Sequence, residues 1–324
     1  LNPVASSWLH HSLPEADIQV LRRAVRAVVH HAEEDSPQLV ELTDLDLELR
    51  AAPISGSDAR SAMVVAAHDV THLRAVERMR SQFISDISHE LRTPVTTIKL
   101  YASLLRAGSP EKQDVYFLSL EKETERIADL VGAIVKIARI ESGRFELAPV
   151  LVDMNVVISC EAQSAAPIAA AKGLSVIESI TEDPLMVYID SAWFIEAVSG
   201  IVKNALLYTD RGEIRISTEA TTQEGTAWAT CTIEDTGPGI PFHEQAHLFE
   251  RFFRGDGARA ADIPGNGLGL VIAKAAIERH GGAIAIYSVP GAGTRVTIRL
   301  PLAEAAERRL TSSSTHTHGV NSEQ

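Results

Sequence analysis

The residues best suited to chemistry are a histidine with a carboxylate beside it and a threonine one helical turn further on. His89, Glu90 and Thr93 lie in the run Ser88-His89-Glu90-Leu91-Arg92-Thr93-Pro94. A carboxylate that accepts one ring N–H fixes the imidazole tautomer and leaves the other nitrogen as a nucleophile. The Thr93 hydroxyl could orient a water molecule on the same helix face. A single histidine on a helix is more often an ordinary surface residue, so the interpretation depends on the rest of the chain.

Two later groups have the chemistry of a nucleotide site. Asn204 lies in an apolar helical segment, where its amide oxygen could bind Mg²⁺, an ion that prefers oxygen ligands. Asp235 ends a predicted strand and enters Thr236-Gly237-Pro238-Gly239, where a carboxylate can accept the amino group of adenine and glycines allow a close approach of the backbone. Taken alone, Asn204 is better explained as a capped or satisfied core asparagine, and an ordinary Asp-Gly turn explains Asp235 equally well.

A third group predicts a phosphate cradle with a lid. Gly265, Gly267 and Gly269 alternate directly before a predicted helix, and backbone N–H groups at a helix N-terminus bind anions. The preceding segment Leu248–Arg254 is aromatic and is predicted to be a helix, followed by a small, polar, glycine-containing stretch typical of a mobile lid. Arg254 is a candidate to bind the γ-phosphate. A flexible hinge and a surface arginine are the alternatives.

The elements that carry His89 form a predicted helical hairpin. A helix from Thr71 to about Ala107 is broken at Gly108-Ser109-Pro110, and a second helix runs from Glu111 to about Ile140. The first helix has an apolar seam with gaps of three and four residues. The seam consists of Ile84, Ile87, Leu91, Val95, Ile98, Ala102 and Leu105. His89 falls opposite this seam, and pairing with a second copy into a four-helix bundle would cover it.

The chain on either side of the hairpin mixes helices and strands. Toward the N-terminus a helix is predicted over Asp17–His31, a strand over Leu39–Pro53, a turn over residues 55–58 and a second strand over Ser61–Asp69. Residues from about Phe145 to Leu302 alternate between helix and strand and predict an α/β sandwich. Its clearest segments are strands at Ala227–Glu234, Ala283–Tyr287 and Thr294–Leu300 and helices at Asp190–Tyr208 and Leu268–His280.

Composition excludes several classes of protein. The chain has 324 residues, 45% of them hydrophobic, which predicts two or three globular domains. A net charge of −13 argues against nonspecific binding to nucleic acid. Cys160 and Cys231 have no metal-type spacing, lie among apolar neighbours and are expected to be reduced, buried thiols. No apolar run is long enough to cross a membrane.

In this order, the motifs resemble the sensor histidine kinase family of two-component signalling over residues 72 to 302. The matching segments are the phosphoacceptor box at Ser88–Pro94, Asn204 with Ala205, Asp235–Gly239, Phe249–Arg254 and Gly265–Gly269. The resemblance implies that His89 is phosphorylated by Mg²⁺-ATP with Glu90 as base, and that Thr93 supports a phosphatase activity. It further implies a set of nucleotide-contacting residues, with Asn204 as the metal ligand. The set is Asn204, Tyr208, Asp235, Gly237, Gly239, Arg254, Gly265, Gly267, Leu268 and Gly269.

The same resemblance implies an architecture and partners. We expect an α+β multidomain chain: a partial PAS-like sensor segment over residues 1–70, a dimerisation and phosphotransfer hairpin over 71–144, an α/β ATP-binding domain over 145–303 and a disordered tail over 304–324. The short match to a PAS exit lies at Ser61–Arg74. The expected partners are a second copy of the chain and the receiver domain of a response regulator. The chain itself is expected in the cytoplasm, with a membrane contact only if a segment upstream of Leu1 is missing.

Two departures from the family pattern leave alternatives open. Many members have asparagine at the position of Gly200 and lysine at that of Leu207, and the loss of a cation near phosphates would slow phosphoryl transfer. Lys203 points about 100° away from Asn204 on the helix. The alternatives are a signalling scaffold or phosphatase with little kinase activity, and an ATPase of the gyrase and chaperone superfamily that shares only the nucleotide fold.

Overall fold

The structure is a computed structural model that describes residues 13–30, 37–54, 62–108, 112–142, 146–223, 225–260, 263 and 265–304. Its first part is helix α1 (Glu15–His30) and an antiparallel sheet in the order β1-β2-β3. The strands are β1 (Gln38–Glu41), β2 (Asp46–Ile54) and β3 (Ala62–Asp69). The helix buries Leu21, Ala24 and Val28, spaced at three and four residues, in one cluster with Leu47 and Leu49 of β2.

One N-terminal prediction is wrong. The segment Leu39–Pro53 is two strands of a hairpin and not one strand, because the chain reverses between Leu42 and Leu45, whose N–H and carbonyl are 3.0 Å apart. Leu47 and Leu49 lie in the second strand, and Leu45 directly precedes it. The turn predicted at residues 55–58 lies outside the described residues. Helix α1 and strand β3 agree with the predicted helix and second strand.

The two long helices form where the periodicity predicts them. Helix α2 (Thr71–Ala107) runs without a break through Pro94, and helix α3 (Gln113–Glu141) returns beside it. Tyr101 and Tyr116 contact each other across the hairpin, with ring centroids 5.7 Å apart. All of α2 is described, and Pro94 is the one residue in it that is buried. Its apolar seam is therefore not buried in one copy of the chain: its residues are either half-buried or exposed.

The C-terminal part is an α/β sandwich. A five-stranded sheet has the order β5-β7-β8-β10-β9, with β5 parallel to β7 and the other neighbours antiparallel, and β4 pairs with β6 separately. The strands are β4 (Val150–Asp153), β5 (Ser175–Ser179), β6 (Met186–Ile189), β7 (Glu213–Gln223), β8 (Thr226–Asp235), β9 (Ala283–Val289) and β10 (Gly293–Pro301). The helices are α4 (Met154–Ala171), α5 (Ser191–Tyr208), α6 (Phe242–Gln245), α7 (Asp256–Ala260) and α8 (Gly269–Arg279).

A single core holds this sandwich together. Alternate strand residues such as Ile214, Ile216 and Ile233 pack against Phe194 and Ile277 from helices α5 and α8. The three strands and two helices predicted most clearly for this region are confirmed within two residues at each end. The side chains that hold a site at the ends of β8 and α5 are thus fixed by a packed core.

The thiol prediction holds for one cysteine. Cys231 is buried in the sheet, and burial raises the pKa of its thiol to about 12. The prediction is wrong for Cys160, which is exposed because it lies between the buried positions Ile158 and Ala162 of α4 and points off that face. Among the described helices, none combines the length and apolar character that a membrane span requires.

Candidate functional site

The histidine lies on the outer surface of α2, as its spacing predicts. His89 and Thr93 are exposed, and Glu90 is half-buried. In this structure the Glu90 carboxylate lies 3.8 Å from the Arg126 guanidinium of α3. The same guanidinium is 3.9 Å from the carboxylate of Glu123. The imidazole is accessible to a reactant, whereas the carboxylate next to it is drawn toward the second helix.

Asn204 and Tyr208 present one face of helix α5. They are four residues apart and half-buried, while Ala205 and Leu206 between them are buried in the core. Burial raises the pKa of the Tyr208 phenol, and the nearby Arg254 cation opposes that rise. Lys203 is exposed and lies on another side of the helix. The geometry thus brings Asn204, Tyr208 and Arg254 into one neighbourhood.

Asp235 is held at the end of β8 by backbone hydrogen bonds. Its Oδ1 accepts from the N–H of Gly237 at 2.9 Å and from that of Thr294 at 3.3 Å. Burial raises the pKa of the carboxyl, and the two hydrogen bonds oppose this change. Both bonds go to the same oxygen, so Oδ2 is the atom with capacity for a donor on a ligand.

The glycines after Asp235 are required by the protein itself. A Cβ on Gly237 would lie 2.8 Å from Oδ1 of Asp235 and 3.0 Å from the carbonyl oxygen of Tyr208. Gly239 has a φ of +67°, and a Cβ there would lie 2.1 Å from the carbonyl oxygen of Val289. The close approach that Gly239 permits is therefore between this loop and the turn that joins β9 to β10.

The prediction of a helix over Leu248–Arg254 is wrong. Helix α6 ends at Gln245, and the chain continues through successive turns. Phe252 has a φ of +59°, which no α-helix contains, and its N–H donates to the carbonyl of Gly267 at 3.1 Å. A Cβ on Gly267 would lie 2.6 Å from the carbonyl carbon of Phe252. The aromatic segment and the glycine segment fit against each other, and this contact replaces helical hydrogen bonds.

Arg254 binds the backbone of the segment that follows it. One Nη atom donates to the carbonyls of Ala258, at 3.5 Å, and Ile263, while Nε is buried and has no partner among the described residues. Residues 261, 262 and 264 of the predicted lid lie outside the described residues. A buried cationic N–H without an acceptor is costly. An anion near Tyr208 would supply the acceptor.

The glycine segment leads into an uncapped helix. Gly265 and Gly267 both have positive φ, Leu268 is the N-cap residue, and α8 begins at Gly269. Leu268 is fully buried, and its N–H donates to Oδ1 of Asn266 at 3.1 Å. Within the described part of the chain, no side chain caps the first turn of α8. The free N–H groups of that turn suit a phosphate, and the donor set as a whole fits an adenine nucleotide.

Several residues that position this site were not found from the sequence. Ser288 is 1% exposed. Its hydroxyl accepts from the N–H of Ile240 at 2.8 Å and lies 2.9 Å from the hydroxyl of Thr294. Asp190 caps α5 and accepts the N–H of Ala148 at 3.1 Å, while its own N–H donates to Nε2 of His280 at 2.8 Å. Serine, threonine and histidine inside regular elements give no sequence signal for such roles.

Helix α3 also contacts the sandwich. The Lys136 ammonium lies 2.7 Å from the carboxylate of Glu196 on α5. Arg251, in the aromatic segment, forms an ion pair with Glu141 at the end of α3. These two pairs join the last turns of the hairpin to the helix that carries Asn204 and to the segment that precedes the lid.

Two family models match the chain. The one described as "His Kinase A (phospho-acceptor) domain" matches residues 79–143, and the one described as "Histidine kinase-, DNA gyrase B-, and HSP90-like ATPase" matches residues 189–304. Sensor protein kinase WalK of Staphylococcus epidermidis is 32% identical over 241 residues, and WalK of Staphylococcus haemolyticus is 33% identical over 241 residues. Each alignment covers 74% of this chain and 39% of the relative, so the chain spans well under half the length of these proteins.

Solved structures show the same architecture. Histidine kinase AdeS of Acinetobacter baumannii superimposes with a TM-score of 0.54 at 25% identity, over 66% of this chain and 98% of that chain. ThkA, solved in complex with the response regulator protein TrrA, shares the fold with a TM-score of 0.55 at 20% identity, over 90% of this chain and 85% of that chain. A phosphoacceptor hairpin followed by this ATPase fold defines a histidine kinase. The chain belongs to the sensor histidine kinase family.

Proposed function

We propose that the protein uses Mg²⁺-ATP to phosphorylate His89 and then passes the phosphoryl group to an aspartate on the receiver domain of a response regulator. The observation that carries the proposal is the exposed His89, with Glu90 beside it, on a hairpin that precedes a site built from Asp235 and an uncapped helix. An α/β nucleotide site alone would serve many ATPases. The accessible imidazole supplies the acceptor that those enzymes lack.

In the proposed reaction, the lone pair of a His89 ring nitrogen forms a bond to the γ-phosphorus of ATP. The bond from that phosphorus to the bridging oxygen of ADP breaks, and Glu90 accepts the proton from the other ring nitrogen. For this the Glu90 carboxylate has to move away from Arg126. The amides at the start of α8 and the Arg254 guanidinium would hold the phosphates, and Asp235 would accept the amino group of adenine.

The amide oxygen of Asn204 is the proposed ligand for Mg²⁺. The ion, when bound, neutralises charge on the phosphate oxygens during transfer. Asn204 is half-buried on the same face of α5 as Tyr208, and no hydrogen bond among the described residues occupies its side chain. Gly265, Gly267, Leu268 and Gly269 complete the proposed phosphate contacts through their backbone.

The proposed assembly is a homodimer. The seam of α2 is partly exposed in one copy, with Ile84 at 55% and Val95 at 40% of their full exposure, and a second hairpin would cover it. The ThkA complex with its response regulator supports a receiver domain as the second partner. We propose residues 71–144 as the dimerisation domain, 145–303 as the ATP-binding domain and 1–70 as the remnant of a PAS-like sensor.

The test is incubation with γ-labelled ATP and Mg²⁺. We expect acid-labile label on the wild-type chain and none on His89→Gln. Asn204→Asp and Asp235→Asn are expected to lower the labelling while leaving His89 in place. Acid-labile label that persists in His89→Gln would remove this histidine from its role.

A second candidate function rests on Gly200 and Leu207. Without the asparagine and lysine found at these positions in many members, the chain would bind ATP weakly and act mainly as a phosphatase or tether for a phosphorylated regulator. This candidate predicts no autophosphorylation, together with a loss of regulator dephosphorylation in Thr93→Ala. The two functions are separated by whether wild-type protein acquires label on His89.

A further inference from the structure

Among the residues that the structure describes, the hydroxyl of Thr209 has no hydrogen-bond partner. The residue follows α5 directly and is fully buried. Its backbone N–H donates to the carbonyl of Ala205 at 3.1 Å, but Oγ1 is buried and has no hydrogen bond among the described residues. A buried hydroxyl that is left unpaired destabilises a protein, and most such groups pair with protein or with water. This orphan group needs an explanation.

The hydroxyl lies beside the residue proposed to read adenine. A Cβ built on Gly237 would be 2.8 Å from Oδ1 of Asp235 and 3.4 Å from Oγ1 of Thr209. The threonine hydroxyl and the aspartate carboxylate therefore border the same small space next to Gly237. Asp235 is fixed there by its two backbone hydrogen bonds, and Thr209 is fixed by the packed end of α5.

We propose that Oγ1 of Thr209 is a second base-recognising group and that it determines the preference for adenine together with Asp235. The inference rests on the proposed binding of ATP. An ionised carboxylate only accepts hydrogen bonds, whereas a hydroxyl can donate one. An acceptor beside a donor matches adenine, which has an amino group next to an unprotonated ring nitrogen. Guanine has an oxygen next to a ring N–H at these positions and matches the pair poorly. The contact from Thr209 is made directly or through one water molecule.

The neighbouring residues support this assignment by contrast. Thr218 is also buried, at 5% exposure, but its hydroxyl donates to Oδ1 of Asn155 at 2.7 Å and accepts from the N–H of Thr181 at 3.2 Å. Thr218 thus shows what a structural threonine looks like in this sandwich. Thr209 is also buried, but its hydroxyl makes no hydrogen bond among the described residues. This is expected of a hydroxyl that forms a hydrogen bond only when a ligand or an associated water molecule is present.

The test compares Thr209→Val, Thr209→Ser and Thr218→Val in the full chain. Valine has nearly the shape of threonine and lacks the hydroxyl. We expect Thr209→Val to leave the apo melting temperature unchanged or raised, because an unpaired polar group is removed. We expect the same variant to bind ATP about tenfold more weakly, with little change in its binding of GTP. Thr209→Ser retains the hydroxyl and is expected to bind like wild type.

Thr218→Val is the matched control. It leaves Oδ1 of Asn155 without its hydrogen-bond donor, so we expect a lower melting temperature and unchanged affinity for ATP. The proposal is overturned if Thr209→Val melts lower than wild type, if its affinity for ATP is unchanged, or if ATP and GTP binding weaken equally. A wild-type chain that binds no ATP by titration calorimetry would contradict the proposed function as well. Wild-type binding of ATP with an unaffected Thr209→Val contradicts this inference alone.

Discussion

Replacing Gly239 by alanine tests the contact between the loop after Asp235 and the turn that joins β9 to β10. Gly239 and Gly291 both have left-handed backbones, with φ of +67° and +81°. A Cβ on Gly239 would lie 2.1 Å from the carbonyl oxygen and 2.7 Å from the carbonyl carbon of Val289, whereas a Cβ on Gly291 would meet no atom within 4 Å. Because the conformational cost is similar at both positions, the difference between the two variants isolates the steric contact.

The magnitudes follow from these distances. A non-glycine residue in the left-handed region costs about 1–2 kcal/mol, and we expect Gly291→Ala to lose that amount. Relieving the overlap at Gly239 requires the turn to move by about 1.3 Å, since the Cβ would lie 2.1 Å from the carbonyl oxygen and ordinary contacts begin near 3.4 Å. The movement strains two hydrogen bonds, Gly291 N–H to Pro238 at 2.7 Å and Ala292 N–H to Val289 at 3.0 Å. At about 1 kcal/mol each, these bring the loss for Gly239→Ala to about 3–4 kcal/mol.

The assay is thermal and urea unfolding followed by tryptophan fluorescence. Trp193 and Trp228 both lie in the sandwich and report on its unfolding. A loss of 1 kcal/mol lowers the melting temperature of a domain of this size by about 2–4 °C. We therefore expect a decrease of about 2–8 °C for Gly291→Ala and about 6–16 °C for Gly239→Ala. Equal decreases in the two variants would refute the steric argument.

Three further predictions use other features of the sandwich and hairpin. Burial lowers the pKa of His280 below 6.5, so the stability that neutral His280 contributes is present above pH 6.5 and is lost as the pH falls from 6.5 toward the lowered pKa. In urea unfolding, we therefore expect wild type to lose more stability between pH 7.5 and pH 5.5 than His280→Gln does. Equal losses in the two proteins would contradict the lowered pKa. A thiol reagent should label Cys160 in the folded chain and Cys231 only after denaturation. Two fast-reacting thiols in the native protein would contradict the burial of Cys231 in the sheet. Lys136→Glu breaks the ion pair with Glu196 and should speed amide hydrogen exchange in the last turns of α3 by a factor of about 2–5. Adding Glu196→Lys restores a pair of opposite charges and should reverse the change. If the double variant exchanges as fast as Lys136→Glu alone, the ion pair is not the cause.

Regular elements with a long, uniform pattern could be predicted from the sequence. The gaps of three and four residues in the seam predicted this long helix, and the break at Gly108-Ser109-Pro110 predicted its end. The helix is Thr71–Ala107, and Gly108, with a φ of +77°, ends it. The apolar runs of β8, β9 and β10 and the helix ending at Tyr208 were equally clear. In each of these cases the local pattern and the tertiary packing favour the same structure.

Long-range contacts decided the elements that were predicted wrongly. The segment Leu248–Arg254 has a composition compatible with a helix, yet the N–H of Phe252 bonds to Gly267, fifteen positions further along the chain. In the same way, the predicted strand Leu39–Pro53 is divided by a turn whose Thr43 N–H donates to Asp17 of the first helix at 3.0 Å. A local pattern contains no information about partners that lie so far away, so propensity was overruled in both places.

The residues of the candidate site also fall into two groups, those that could be predicted from the sequence and those that depend on long-range contacts. Residues whose chemistry is unusual for their setting, such as His89, Asn204 and Asp235, stand out in the sequence. Thr294 does not stand out in the sequence, because its role depends on strand register. It lies opposite Asp235 in the β8–β10 ladder, and its N–H donates to the Asp235 carboxylate. A shift of the register by one residue would turn the side chains of β10 to the other face and remove this support. The geometry around the Asp235 carboxylate is therefore a property of the sheet, and the sequence motif marks only one of its two sides.

The glycines of the two motifs call for a separate interpretation of mutant data. Alanine at Gly239 or Gly267 would collide with the backbone of Val289 or Phe252 before any nucleotide is bound. A loss of ATP binding in such variants would follow from displaced loops as readily as from a lost contact with phosphate or base. Thr209→Val removes a hydroxyl and Asp235→Asn removes a negative charge, both with little change in side-chain volume, so their effects on nucleotide binding can be separated from folding. Variants of this second kind, measured for both stability and affinity, are the ones that can identify which groups touch the ligand.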